Sequence, residues 1–108
     1  MKEELKIFIE TKSFIELVSQ YSILFPKRSI VFKNRFMDTS FSLLEELYLF
    51  NYRKKNMEIL FMKISMLDYY IEYAYKKRII SHKINKELSN KLSLILRLCY
   101  GLKRKYSA

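Results

Sequence analysis

Apolar residues recur along this chain at three-, four- and seven-residue intervals, the spacing that gathers side chains on one face of an α-helix. Ile7, Phe14, Val18, Tyr21 and Phe25 form the first such run, and Lys6, Glu10, Lys12, Glu16 and Gln20 fill the remaining surface. The run stops at Leu24-Phe25-Pro26-Lys27, which contains the only proline. Proline supplies no N–H and disfavours helical backbone at the residue before it. The pattern predicts a first helix over residues 4–24 and a second over 30–51, with Ser29 as the N-cap of the second.

The second helix carries Phe36, Met37, Phe41, Leu43, Leu44, Leu47, Tyr48 and Phe50. At ~100° per residue this arc is wider than the stripe a single core requires. Neither Gly nor Pro marks its far end. A break is expected at Tyr52-Arg53-Lys54-Lys55-Asn56, where three adjacent cations and an asparagine interrupt the apolar pattern. A third helix over 57–77 bears two apolar stripes. Met57, Leu60, Ile64, Leu67, Ile71 and Ala74 form one, and Ile59, Met62, Met66, Tyr69 and Tyr73 form the other, roughly 150° around the helix.

A helix apolar on two faces is expected to be buried on two sides, which points to self-association. The expected interface between copies is Ile59, Met62, Met66, Tyr69 and Tyr73, together with Phe36, Leu43, Leu47 and Phe50. Ser81 is the expected N-cap of a fourth helix over 82–103. It sets Ile84, Leu88, Leu92, Ile95, Cys99, Leu102 and Tyr106 opposite Lys83, Lys86, Asn90, Arg97 and Arg104, and Gly101 marks where it would end or fray. The fold expected is all-α: one antiparallel up-down-up-down four-helix bundle spanning 1–108, assembled into a homo-oligomer.

Composition agrees with that density of helix. Half of the 108 residues are hydrophobic and there is one Gly and one Pro, which leaves little chain for loops. The start, Met1-Lys2-Glu3-Glu4, lacks the basic and apolar regions of a signal peptide. No run approaches the ~18 apolar residues of a membrane span. A single cysteine makes no internal disulfide. The expected location is the cytoplasm, with no membrane partner.

Charge alters the picture more. Lys and Arg number 21 against 11 acids, a net charge of +10, and a field of that sign attracts polyanions. The excess is unevenly placed: residues 27–55 carry seven cations and three acids and residues 76–108 carry ten and one, while 1–26 and 56–75 are net negative. In an antiparallel bundle Lys27, Arg28, Lys76, Lys77 and Arg78 share one pole. Arg53, Lys54, Lys55, Lys103, Arg104 and Lys105 share the other, and Lys83, Lys86 and Arg97 form a stripe between them. With Arg35, these cations are the expected nucleic-acid-binding residues, a footprint for phosphates rather than base edges. Tyr52, Tyr75, Tyr100 and Tyr106 lie beside them and are placed to stack on unpaired bases.

Catalytic chemistry is sparse. His82 is the only histidine, so no His-rich metal site or His-centred triad is expected, and no cofactor. Arg78-Ile79-Ile80-Ser81-His82 resembles the Arg…His signature of HEPN ribonucleases, with three intervening residues where that signature has four to six. Asp68 and Glu72 share a helix face without the carboxylate–histidine partners of a di-iron bundle. Cys99 falls in the core stripe, where a cysteine behaves as a small hydrophobe. The chain is expected not to be an enzyme.

In order along the chain, Leu5-Lys6-Ile7, Phe25-Pro26-Lys27, Asn34-Arg35-Phe36, Leu43-Leu44-Glu45-Glu46-Leu47, Tyr52 with Lys55, then Leu60, Leu67, Ala74 and Ile80-Ser81 form a series. That series resembles the Avd-type accessory proteins of diversity-generating retroelements, relatives of the four-helix proteins encoded in bacterial 23S rRNA intervening sequences. Leu98-Cys99-Tyr100-Gly101-Leu102-Lys103 stands where the family has a Gly-Gly-Trp-like ending, with Tyr100 in place of one glycine and Leu102 in place of the tryptophan. Phe50 replaces the alanine of the family's Ala-x-Tyr. The resemblance implies a non-catalytic homopentamer with a basic surface that binds RNA or DNA and the element's reverse transcriptase, assisting error-prone copying of a template RNA. The alternative it carries is a scaffold of the rRNA-insert type whose partners are proteins only.

Overall fold

The computed structural model describes residues 2–106, with side chains described from Leu5 onward. Four helices account for nearly all of it: α1 (Lys2–Ser22), α2 (Ile30–Arg53), α3 (Met57–Lys76) and α4 (His82–Tyr106), with a 3-10 turn at Lys27–Ser29. Among the described residues there is no strand. Helix α1 packs on α2 and α4, and α3 packs on the same two. The resulting body measures 45 × 23 × 19 Å.

The ends of the helices follow from local chemistry. Helix α1 ends at Ser22, two residues before the expected Leu24, because the chain unwinds ahead of Pro26 through tighter turns. Leu24 N–H donates to Tyr21 O and Phe25 N–H to Ser22 O, each reaching back three residues. Pro26 then sits extended, at φ −61° and ψ 150°. Ser29 precedes α2, but its hydroxyl makes no capping bond. Its own N–H closes the 3-10 turn by donating to Pro26 O at 2.9 Å, so the expected side-chain cap is replaced by a backbone turn. Ser81 does cap α4, its Oγ accepting from Ile84 N–H at 3.2 Å.

The break between α2 and α3 is made without glycine. Lys54 and Asn56 adopt left-handed backbone, at φ 58° and 66°, and Lys54 N–H closes the end of α2 on Phe50 O at 2.6 Å. Asparagine tolerates this region better than most residues and lysine does not. At the end of α3, Arg78 takes φ 60°. Its N–H donates to Tyr75 O at 3.0 Å, and Ile79 N–H reaches Ala74 O at 2.8 Å. These are the paired bonds of a Schellman cap with arginine in the position glycine usually fills. Gly101 does not end α4, which continues through Tyr106; among the described residues an added Cβ there would meet only Arg104 Nη2, at 4.0 Å.

The core is a column of Ile7, Phe14 and Val18 from α1, Leu60, Ile64, Leu67, Ile71 and Ala74 from α3, and Leu88, Leu92, Ile95, Cys99 and Leu102 from α4. Each fully buried aliphatic or phenyl side chain contributes about 2 kcal/mol. Helix α2 supplies Phe36, Leu43, Leu47 and Phe50 to the same core, all at most 5% exposed. These residues were expected at an interface between copies, and the structure places them inside their own chain instead. The reason is the width of the α2 arc. Phe36, Ser40, Leu43, Leu47 and Phe50, spaced alternately by four and three, turn inward. The outer members, Phe41 and Tyr48, are each 49% exposed.

Aromatic rings fill the end beside the proline. Phe32 packs on Phe36 (5.7 Å between centroids), Tyr70 (5.8 Å) and Tyr73 (4.9 Å), and Phe25 stacks on Phe36 at 6.5 Å. These contacts hold the first turns of α2 against the last turns of α3.

Candidate nucleic-acid interface

Every cation expected to bind phosphate is exposed: Lys27, Arg28, Arg35, Arg53, Lys54, Lys55, Lys76, Lys77, Arg78, Lys83, Lys86, Arg97, Lys103, Arg104 and Lys105. What the tertiary structure adds is which of them meet.

One gathering is where α2 and α4 finish. Lys54 leaves α2 in its left-handed turn, and its ammonium lies 4.9 Å from the centre of the Tyr106 ring and 6.0 Å from that of Phe50. The same ammonium donates to Asn51 Oδ1 at 3.1 Å. Lys105 lies over Tyr106 from α4 itself, at 5.4 Å. A cavity of about 280 Å³ opens here, lined by Phe50, Lys54, Lys55, Asn56, Lys103 and Tyr106. Residues from the α2–α3 connection and the end of α4, some fifty positions apart in sequence, thus form one cationic, aromatic-backed surface.

Other cations lie at the proline end. Lys27 and Arg28 lie in the 3-10 turn, and Lys77 lies 5.8 Å from the centre of the Tyr73 ring. Since Phe32 packs on Tyr73, the start of α2 is brought to the end of α3. Lys76 pairs with Glu72 at 3.5 Å, an exposed pair of small energetic weight that nonetheless offsets some of the local charge.

Along α4, Lys83, Lys86 and Arg97 face solvent. Lys91, also on α4, is tied to Glu10 of α1 at 2.8 Å. Glu87 accepts a hydrogen bond from Tyr21, and that carboxylate, more than burial, holds the Tyr21 phenol above its ordinary pKa.

The four candidate stacking tyrosines differ. Tyr52 is 92% exposed. Tyr106 is already held between Phe50 and the lysines. Tyr100 rests on Phe61, with ring centroids 4.9 Å apart. Tyr75 packs beside His82, its hydroxyl 3.4 Å from Nδ1. Among the described residues, no hydrogen bond or ion pair joins His82 to Arg78.

On the second stripe of α3, Met62, Met66 and Tyr69 are 52%, 39% and 53% exposed, whereas Ile59 and Tyr73 are half-buried. Cys99 is fully enclosed, and burial pushes its thiol up to about 12. Among the described residues no group of His, Cys, Asp and Glu is arranged to hold a metal ion. No helix there is long and apolar enough to cross a membrane.

A groove of about 380 Å³, not anticipated from the sequence, lies between α3 and α4, lined among others by Phe61, Ser65, Asp68, Ser93, Tyr100 and Lys103. Its sequence signal is the spacing of Phe61, Ser65 and Asp68 by four and three, which sets them on one face of α3.

No protein-family model matches the chain, and neither curated proteins nor solved structures give a match.

Proposed function

We propose that this chain is a non-catalytic nucleic-acid-binding accessory protein of the Avd type, cytoplasmic, acting with a reverse transcriptase on template RNA in a diversity-generating retroelement. The observation that carries the nucleic-acid part is the convergence of Lys54, Lys55 and Lys103 around one aromatic-backed cavity at the end of the bundle. Lysines gathered around such a cavity contact phosphates as point charges, and adjacent tyrosines add stacking that tolerates any base. The retroelement part rests on the ordered series of motifs from Leu5 to Lys103.

The helices run up-down-up-down in this reading. Phe8 near the start of α1 contacts Tyr48 near the end of α2, and Tyr21 near the end of α1 bonds Glu87 near the start of α4. Phe61 near the start of α3 meets Tyr100 near the end of α4. The protein assembles as a homopentamer through the exposed stripe of Met62, Met66 and Tyr69, with Ile59 and Tyr73 at its margins. Light scattering gives a multiple of the chain mass at micromolar concentration; a monomer mass sinks the assembly.

The binding test is anisotropy of a labelled single-stranded RNA across a salt series. Affinity falls steeply between about 50 and 200 mM salt, with a log–log slope near −0.7 for each phosphate neutralised. Changing Lys54, Lys55 and Lys103 to Glu removes binding while the helical circular dichroism persists. Absence of wild-type binding at ~50 mM salt, where such contacts are strongest, refutes the reading. A reverse transcriptase that co-purifies with the chain supports the retroelement assignment, and protein-only partners with no RNA binding favour the scaffold alternative.

A further inference from the structure

We propose that the groove between α3 and α4 is a nucleobase site that takes one unstacked guanine from the single strand held at the basic end. This deepens the nucleic-acid reading above and rests on it. Three observations converge. The groove, at about 380 Å³, has room for a nucleotide and opens to solvent. Lys103 lines both this groove and the cationic cavity at the end of the bundle, so a backbone lying on the one leads directly into the other. The groove also changes chemistry along its length in the order a nucleotide requires.

At one end lie Lys103 and the Phe61–Tyr100 ring pair, with the Lys103 ammonium 5.6 Å from the centre of Phe61. That is a cation for a phosphate beside a π-surface for a base, and Tyr100 is 46% exposed, open to stacking. At the other end lie Asp68, Ser65 and Ser93. Phe61 and Asp68 are seven residues apart on one helix, about 10 Å along the axis, the span of one nucleotide from phosphate to base edge.

Asp68 gives the choice of base. Its side chain makes no hydrogen bond or ion pair with any described residue, and an ionised carboxylate only accepts hydrogen bonds. Guanine alone presents two adjacent donors, N1–H and the N2 amino group, on its Watson–Crick edge. Adenine and cytosine set one amino group beside an acceptor, and thymine or uracil sets one N–H between two acceptors. The carboxylate also repels phosphate, which fixes the direction of entry. The cluster therefore selects a base where the rest of the basic surface reads only backbone.

The test uses the full chain and fluorescein-labelled thymidine strands of about twelve nucleotides, within the range one binding surface covers. One strand is all thymidine, one carries a single central guanine, and one carries inosine there, which lacks the N2 amino group. The guanine strand binds about ten-fold tighter than the thymidine strand, the usual scale of one paired base contact, and the inosine strand loses most of the gain. Asp68→Ala brings the guanine-to-thymidine ratio to about one with thymidine binding retained. Tyr100→Ala weakens the guanine strand and Tyr100→Phe restores it. Equal binding of guanine and thymidine strands by the wild type, or a preference that survives in Asp68→Ala, overturns the base site and leaves the nucleic-acid reading intact. Failure of every strand, and of the labelled RNA as well, to bind at ~50 mM salt overturns both.

Discussion

The Lys54 ammonium stands 4.9 Å from the centre of the Tyr106 ring, joining the left-handed turn after α2 to the last turn of α4. Tyr106 in turn meets Phe50 edge-on at 5.8 Å. Through this contact the last turn of α4 decides the shape of the cationic cavity. Tyr106→Ala is expected to lower stability by about 1–2 kcal/mol, from its cation–π contacts with Lys54 and Lys105 and one aromatic pair. Tyr106→Phe keeps all of these. Urea unfolding followed by circular dichroism measures the difference, and equal midpoints for the Ala variant and the wild type would exclude the tie.

Arg78 holds a left-handed backbone where the Schellman bonds to Ala74 and Tyr75 close α3. A non-glycine residue is strained there, so Arg78→Gly stabilises the fold by about 1 kcal/mol. The same change removes a cation from the proline end and, on the proposed nucleic-acid function, is expected to weaken RNA binding. Thermal unfolding and anisotropy on one preparation should therefore move in opposite directions.

Thr11 is 0% exposed, and among the described residues its hydroxyl has no hydrogen-bond partner. Replacing it by the isosteric valine removes an unsatisfied buried group, and Thr11→Val gains about 1 kcal/mol. A lowered melting temperature would show that the hydroxyl is satisfied in solution.

The Cys99 thiol is pushed up to about 12 by burial, above the ~8.5 of an unfolded cysteine. Because the folded state holds its proton more tightly, the contribution is complete below the unfolded value. It is lost as pH rises from about 9 toward 12. Unfolding free energy measured across that range falls less in Cys99→Ala than in the wild type, after allowance for the shared lysine and tyrosine titrations. In the native state at neutral pH, Cys99 resists iodoacetamide and reacts once the chain unfolds.

Most helical elements were legible because the 3.6-residue period needs only local sequence. Pro26 marked the first break, and Ile64, Leu67 and Ile71 on α3 with Leu88, Leu92 and Ile95 on α4 announced the core. The wide arc of α2 was ambiguous for a physical reason. Phe36 and Phe41 both lie on it, and hydrophobicity does not say which half turns inward. Neighbouring helices decide that, and they chose Phe36, Leu43, Leu47 and Phe50 over Phe41 and Tyr48. Ser29 looked like a cap, yet the geometry after Pro26 let a 3-10 turn take that role.

The sequence by itself determined the helices, the break at Pro26 and the excess of positive charge, since each follows from the residue types and their spacing. Tertiary structure decided which charges meet. Only packing brings Lys103 of α4 to Lys55 of the α2–α3 connection at one cavity, and sets Asp68 opposite Ser93 along a groove. Such pairs are remote in sequence, and no local pattern carries the register of one helix against another.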